Sequence, residues 1–286
     1  MKLALGTAQF GFDYGINNKK GKIAKKEVFQ ILAYAKTQGI DTLDTAFAYG
    51  TSEAVIGEYA KKHQTDFKIV SKCSAKSPEG AVKILQQSLD RLSTKKIYGY
   101  LIHDFDAYKK NPGFYSDLLK LKEQGKIEKT GFSLYYPKEV TYLLEKKVPC
   151  DLVQIPYNIF DQRFTQLLPL LQQKNIEVHV RSIFLQGLIF KYPDELKGNL
   201  GKIRGKLQEL RSMASGMNIP ISALCINFAL LNDNIDKIIV GVDDLKNLKD
   251  NITALQYQND VSQIYDHLVR LQEDDEQIIL PFNWEK

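Results

Sequence analysis

Little in this chain can form a disulfide. It has three cysteines, Cys73, Cys150 and Cys225, odd in number and far apart. That excludes a stapled secreted scaffold and fits a reducing compartment. No apolar run approaches the ~18 residues of a membrane span. The opening Met1-Lys-Leu-Ala-Leu-Gly6 lacks a signal-peptide layout. The expected location is the cytoplasm, with no membrane partner. Four histidines are present, His63, His103, His179 and His267, and none forms a His-x-His or His-Glu-x-x-His pair, which argues against a metal hydrolase. Arginine-rich blocks are missing too. The net charge of +5 comes from scattered pairs such as Lys19-Lys20, Lys61-Lys62 and Lys146-Lys147, the pattern of solvated faces rather than of a nucleic-acid footprint. Nor does Gly-x-Gly-x-x-Gly follow the first apolar run. Gly6-Thr-Ala-Gln-Phe-Gly11 stands there instead, unlike the nucleotide loop of a doubly wound sheet.

What is present is ordinary globular material, 44% hydrophobic and 26% charged over 286 residues. Short buried runs predict strands at 3–5, 42–43, 69–70, 98–102, 130–132, 152–155, 178–180 and 238–240. Helical periods lie between them. Val28, Ile31, Leu32 and Ala35 form one stripe, stopped by Gly39. Val82, Leu85, Leu89 and Leu92 form the next. Val140, Leu143 and Leu144 follow Pro137, and Leu224, Phe228 and Leu231 precede the last strand. Eight strands alternating with helices predict parallel βα units. Eight such units close into a (β/α)₈ TIM barrel of about 250 residues, here a single domain over 1–286.

The rhythm breaks between Ser182 and Asp236, which are too far apart for one crossover. Residues 183–200 predict a long loop, 202–217 an added helix and 221–231 the regular one. A polar helix is expected at 261–272. The tail Ile278-Ile-Leu-Pro-Phe-Asn-Trp284 is too apolar to hang free and is expected to fold back.

Four polar residues fall at the ends of three successive strands. Asp44 and Tyr49 follow the second, Lys72 ends the third and His103 the fourth. In a barrel these ends share one rim, where active sites are built. A tyrosine near pKa 10 is a poor acid at neutral pH unless its phenolate is stabilised. A lysine beside it would lower that pKa, and an aspartate would hold the lysine charged. A histidine nearby can orient a carbonyl. The set suits reduction of a carbonyl, with Tyr49 as general acid and hydride from a cofactor.

Asp44-Thr-Ala-Phe-Ala-Tyr-Gly-Thr-Ser-Glu53 resembles the Asp-Thr-Ala-x-x-Tyr-Gly-x-Ser-Glu signature of the aldo-keto reductases, and the similarity runs over nearly the whole chain. The resemblance implies a (β/α)₈ barrel and a catalytic set of Tyr49, Lys72, Asp44 and His103. It also implies NADPH, less often NADH, bound across the rim. Ser133 and Gln154 correspond to residues that hold the nicotinamide carboxamide, although Leu134 replaces the usual asparagine. Arg181 stands where many members stack an aromatic ring on the nicotinamide. Ser182, Leu185 and Gly187 fall in the loop over the pyrophosphate, with Ile183 in place of a proline. Gly241, Asp243, Asn247, Asp250 and Asn251 match the segment at the adenosine end. The usual arginine or lysine for the 2′-phosphate is absent, and Asp243 and Asp244 occupy its place.

The expected activity is NAD(P)(H)-dependent reduction of an aldehyde, ketone or sugar carbonyl, with NADPH mildly favoured by the family average. Gln9, Phe10, Tyr14, Phe282 and Trp284 are candidates for the substrate wall. The opening Gly6–Ile16 stretch and Arg181 are similar to a bacterial branch linked to surface-polysaccharide or nucleotide-sugar pathways. The alternative is a dinucleotide-binding redox sensor with little turnover. Oligomeric state is open.

Overall fold

The computed structural model describes residues 1–284 except Lys19 and Pro78. Lys19, one member of a lysine pair expected on a solvated face, therefore lies outside the described residues.

Eight strands close into one barrel: β1 Leu3–Gly6, β2 Thr42–Asp44, β3 Lys68–Cys73, β4 Ile97–Ile102, β5 Ile127–Ser133, β6 Leu152–Pro156, β7 Glu177–Arg181 and β8 Lys237–Gly241. They pair in chain order, all parallel, and β1 closes on β8. The predicted strands all fall within these limits. β1 and β2 are buried throughout, which is why their sequences read as continuous rather than alternating patterns.

Helices cover the outside of the barrel. In Lys25–Thr37 the stripe Val28, Ile31, Leu32 and Ala35 is fully buried, and Gly39 follows with φ +77°. The helix Gly80–Leu92 has the expected period but a different phase. Its buried face is Ala81, Ile84, Leu85, Ser88, Leu89 and Leu92, while Val82 is 57% exposed. Val82 lies about 100° round the helix from Ala81, so the smaller alanine takes the core position. Helix Pro137–Glu145 opens on its proline, whose missing N–H costs nothing there.

After β7 the chain is wound more tightly than a loop. Short 3₁₀ turns at Leu185–Phe190, Pro193–Glu195 and Gly198–Ile203 lead into the helices Arg204–Gly216 and Ile221–Leu230. The single polar helix expected at 261–272 is two short ones, Gln258–Gln263 and Tyr265–Val269. The tail does fold back. Ile278, Ile279 and Leu280 are buried in the main core. Among the described residues, no single helix is long and apolar enough to cross a membrane.

Candidate active site

Strand register assembles the mouth of the barrel. Gly6 at the end of β1 is level with Asp44 on one side and Gly241 on the other. Ser133 is level with Gln154, and Pro156 with Arg181. The segment after β2 is fastened beneath this rim by short polar side chains. Thr45 Oγ1 donates to Ser52 Oγ at 3.0 Å, and Ser52 Oγ donates to the Thr7 carbonyl at 2.9 Å. Thr7 Oγ1 donates to the Asp44 carbonyl at 2.9 Å. Ser71 Oγ donates to Glu53 at 2.7 Å. The Thr, Ser and Glu of the signature are therefore the fastening, and Thr7 completes it.

Lys72 is 1% exposed. Its ammonium donates to both oxygens of Asp44 at 2.8 Å and to the Thr45 carbonyl at 2.7 Å. All three protons are thus used. Asp44 also accepts from Gln154 Nε2 at 2.7 Å. Burial pulls the lysine below its ordinary range, and the Asp44 carboxylate pulls the other way.

Tyr49 lies over this pair, with Lys72 Nζ 5.1 Å from its ring centroid. The His103 ring stands edge-on to it at 6.0 Å. Burial, and next the Asp44 charge, push the Tyr49 phenol up, while the Arg181 cation pulls it down. The sequence argument expected a phenol held low by its lysine. The resting value moves the opposite way because Lys72 is neutralised in contact by Asp44, leaving desolvation dominant. His103 is lowered to about 3, by burial first and then by Lys72 and Arg181. It is a neutral imidazole with one N–H to donate.

Tyr49, His103 and Asp44 line a cavity of ≈ 370 Å³ together with Ser133, Gln154, Arg181, Ser182, Gly187, Gly241, Asp243, Asn247, Asp250 and Asn251. Gln9 and Tyr14 line it as well. Five expected residues do not; Lys72, bonded to Asp44, is one of them. Leu185 points into the core from a left-handed turn at φ +46°, and Ile183, Phe184 and Gln186 line the cavity from that loop instead. Phe10 is buried under the short helix Ala8–Gly11. Trp284 donates its indole N–H to the Ile278 carbonyl at 2.8 Å, within the tail itself. Phe282 is 56% exposed and meets Tyr135 edge-on at 5.0 Å.

Arg181 is held flat. Its Cζ sits 4.1 Å from the Tyr135 ring centroid, and Nη2 donates to the Leu134 carbonyl at 3.0 Å. Leu134 itself is buried, so only its backbone serves the site. Residues that the sequence reading passed over also contribute. Tyr135, Asn17 and Gln186 line the cavity. Asn158 Nδ2 donates to the Ser182 carbonyl at 3.0 Å, anchoring the loop after β7. Asn158 lies two residues past the end of β6 and is buried; the sequence reading had no signal for it.

A nicotinamide dinucleotide fits the residues present. Asp44 can only accept, which sets the Gln154 amide with its nitrogen toward Asp44. Gln154 Oε1 is left buried with no hydrogen-bond partner on a residue that lines the cavity. An orphaned buried acceptor is costly, and a carboxamide N–H is its complement.

A parallel barrel with polar side chains gathered at the C-terminal mouth defines a class, the barrel enzymes. Comparison with known families gives the particular one. The aldo/keto reductase family model matches residues 2–269, and the chain belongs to that family. It is an NAD(P)H-dependent oxidoreductase. It is similar to the uncharacterized oxidoreductase YqkF of Bacillus subtilis (strain 168), 23% identical over 88% of this chain and 90% of the relative. L-galactose dehydrogenase of Arabidopsis thaliana is 24% identical over 82% of this chain and 80% of the relative. Among solved structures, the holo form of aldo-keto reductase AKR11C1 from Bacillus halodurans superposes with TM-score 0.78 at 21% identity, covering 96% and 94% of the two chains. Glycerol dehydrogenase AKR11B4 from Gluconobacter oxydans gives 0.73 at 19%, covering 94% and 91%. These two likenesses carry the fold.

Proposed function

We propose that residues 1–286 form one reductase unit that converts an aldehyde, ketone or sugar carbonyl to the alcohol, with Tyr49 donating the proton to oxygen. The observation that carries this reading is the meeting of Asp44, Tyr49 and His103 in one cavity wall, with buried Lys72 bonded to Asp44 and close to the Tyr49 ring. Ser133 and the free Oε1 of Gln154 hold the carboxamide of the nicotinamide dinucleotide. Ser182, Gly187, Gly241, Asn247, Asp250 and Asn251 hold the rest of it. Bound there, the dinucleotide supplies hydride to the carbonyl carbon.

The raised pKa of Tyr49 keeps its proton in place through neutral pH, as an acid requires. Charge developing on the carbonyl oxygen is far more basic than a phenolate, so the proton moves toward it. Lys72 then faces the new phenolate, and Asp44 and the Thr45 carbonyl keep the ammonium in position. Neutral His103 donates its N–H to the same oxygen and orients the carbonyl. Such acid catalysis typically contributes 10²- to 10⁴-fold. The galactose and glycerol dehydrogenases among the similar proteins, with Asn17 and Gln186 in the wall, support a polyhydroxylated substrate.

The test is a nicotinamide absorbance assay against aldoses, ketoses and simple aldehydes with both cofactors. Tyr49→Phe loses roughly 10²-fold or more of turnover. Unchanged turnover in that variant removes the assigned role.

A further inference from the structure

The far end of the cavity is built of carboxylates. Asp243 and Asp250 line it, and among the described lining residues the only Lys or Arg is Arg181, whose charge acts on Tyr49 and His103 at the other end. Among the described residues, three nearby lysines have partners elsewhere. Lys20 pairs with Asp244 at 2.6 Å, and Lys246 with Asp250 at 2.9 Å. Lys249 sits 5.3 Å from the Tyr34 ring centroid. The other natural phosphate holder is a helix N-terminus, here that of Leu245–Thr253, and two of its N–H groups are already taken by carboxylates. Its Leu245 N–H donates to Glu27 at 3.3 Å, and its Asn247 N–H donates to Asp244 at 2.8 Å.

Asp243 stands beside Asn247, Asp250 and Asn251 as a polar group able to meet a ribose. One of its oxygens accepts from Gln9 Nε2 at 3.2 Å, and its backbone N–H is held by Asn247 Oδ1 at 3.2 Å. Its second oxygen takes no hydrogen bond from the described residues. A carboxylate accepts well from a 2′-hydroxyl and repels a 2′-phosphate.

We infer that this enzyme selects NADH over NADPH, with Asp243 as the residue that discriminates at the 2′ position of the adenosine ribose. This rests on the reading of the cavity as a nicotinamide dinucleotide site, and it reverses the mild lean toward NADPH taken from the family average. The mechanism is exclusion as much as attraction. A phosphate at this corner would meet Asp243, and among the described lining residues Arg181 is the one Lys or Arg available to offset the repulsion.

Equilibrium titration of the purified chain with NADH and with NADPH, followed by nicotinamide fluorescence, tests this. The wild type binds NADH about tenfold or more tighter. Asp243→Asn and Asp243→Ser move the two affinities in opposite directions, NADH weaker and NADPH tighter. Asp243→Arg makes NADPH the tighter ligand. Equal or tighter binding of NADPH by the wild type overturns the selectivity while leaving the dinucleotide site standing. A parallel loss of both affinities in Asp243→Asn also overturns it, because that marks a residue acting through structure alone. Binding of neither dinucleotide by the wild type removes the selectivity and the reading beneath it together.

Discussion

Lys72 carries its charge into a place with almost no water, and everything at the residue scale follows from how that charge is held. Removing one partner of a buried pair strands the other, at about 3–5 kcal/mol. Lys72→Met is therefore expected to lower stability by that order in urea unfolding. Lys72→Met with Asp44→Asn should recover part of the loss, since no lone carboxylate remains, yet turnover should stay abolished in both while dinucleotide affinity is largely kept. A double variant no more stable than the single would show that the pair is not what holds this region. His103 gives a pH signature. Its folded pKa, about 3, lies below the ordinary 6.5 because of burial and then Lys72 and Arg181. A depressed histidine contributes stability that is present above pH 6.5 and lost as pH falls toward 3, because the unfolded chain binds the proton first. His103→Gln should flatten that limb of a melting-temperature profile, and an unchanged slope would count against the buried neutral imidazole. The placement of Asp44, Lys72 and His103 at or just past strand ends, with Tyr49 on the segment after β2, was legible in the sequence because strand ends can be placed from apolar runs. The bond from Gln154 to Asp44 spans 110 positions and exists only once the barrel closes. The direction of the Tyr49 shift was illegible for a related reason, since desolvation depends on what packs around the ring.

Between strands, the elements are held together by close approaches that side-chain patterns hide. Gly11 ends the short helix Ala8–Gly11 directly against the Tyr49 backbone. A Cβ at Gly11 would lie 1.7 Å from the Tyr49 carbonyl oxygen, so Gly11→Ala must displace the segment that carries the phenol. Misplacing a reacting group by about 1 Å can cost on the order of 10²-fold, and overpacking adds roughly 1–3 kcal/mol of instability. The expected outcome is a collapse of kcat with the melting temperature only moderately lowered. A variant with normal kcat would mean that the loop yields without moving Tyr49. The same scale explains the misplaced expectations. Val82 and Leu185 are apolar in the right neighbourhoods, but which of several adjacent residues faces inward is set by helix phase and by the left-handed turns at Ser182, Leu185 and Gln186. Apolarity alone does not encode either. Trp284 was expected at the cavity as an aromatic candidate for the substrate wall. It covers its own turn. Trp284→Ala should therefore leave KM for the substrate unchanged, and a large rise in KM would return the indole to the substrate wall.

Seen as a whole, the barrel keeps its two ends for different purposes, and β7 shows this within five residues. Arg181 closes the strand at the cavity. Glu177 opens it at the other end, roughly 13 Å away at ~3.3 Å per residue. There Glu177 accepts from Tyr98 at 2.8 Å, pairs with His179 at 2.6 Å and is bridged by Lys129. Burial raises its carboxyl, but the bonds from His179 and Lys129 more than offset that and bring it down to about 2 from an ordinary 4.5. A depressed carboxylate contributes stability that is present above pH 4.5 and lost as pH falls toward 2, the unfolded chain again taking the proton first. In barrels of this kind the bottom face serves stability and the top face serves chemistry. Glu177→Gln should lower unfolding free energy at pH 7 and weaken the acid dependence between pH 4.5 and 2, with kcat/KM unaltered at temperatures where the variant is folded. Arg181→Gln should do the reverse, changing dinucleotide affinity and turnover with a small effect on stability. If Glu177→Gln alters kcat/KM as much as Arg181→Gln does, the ends are coupled through the strand and the division of labour fails for this molecule.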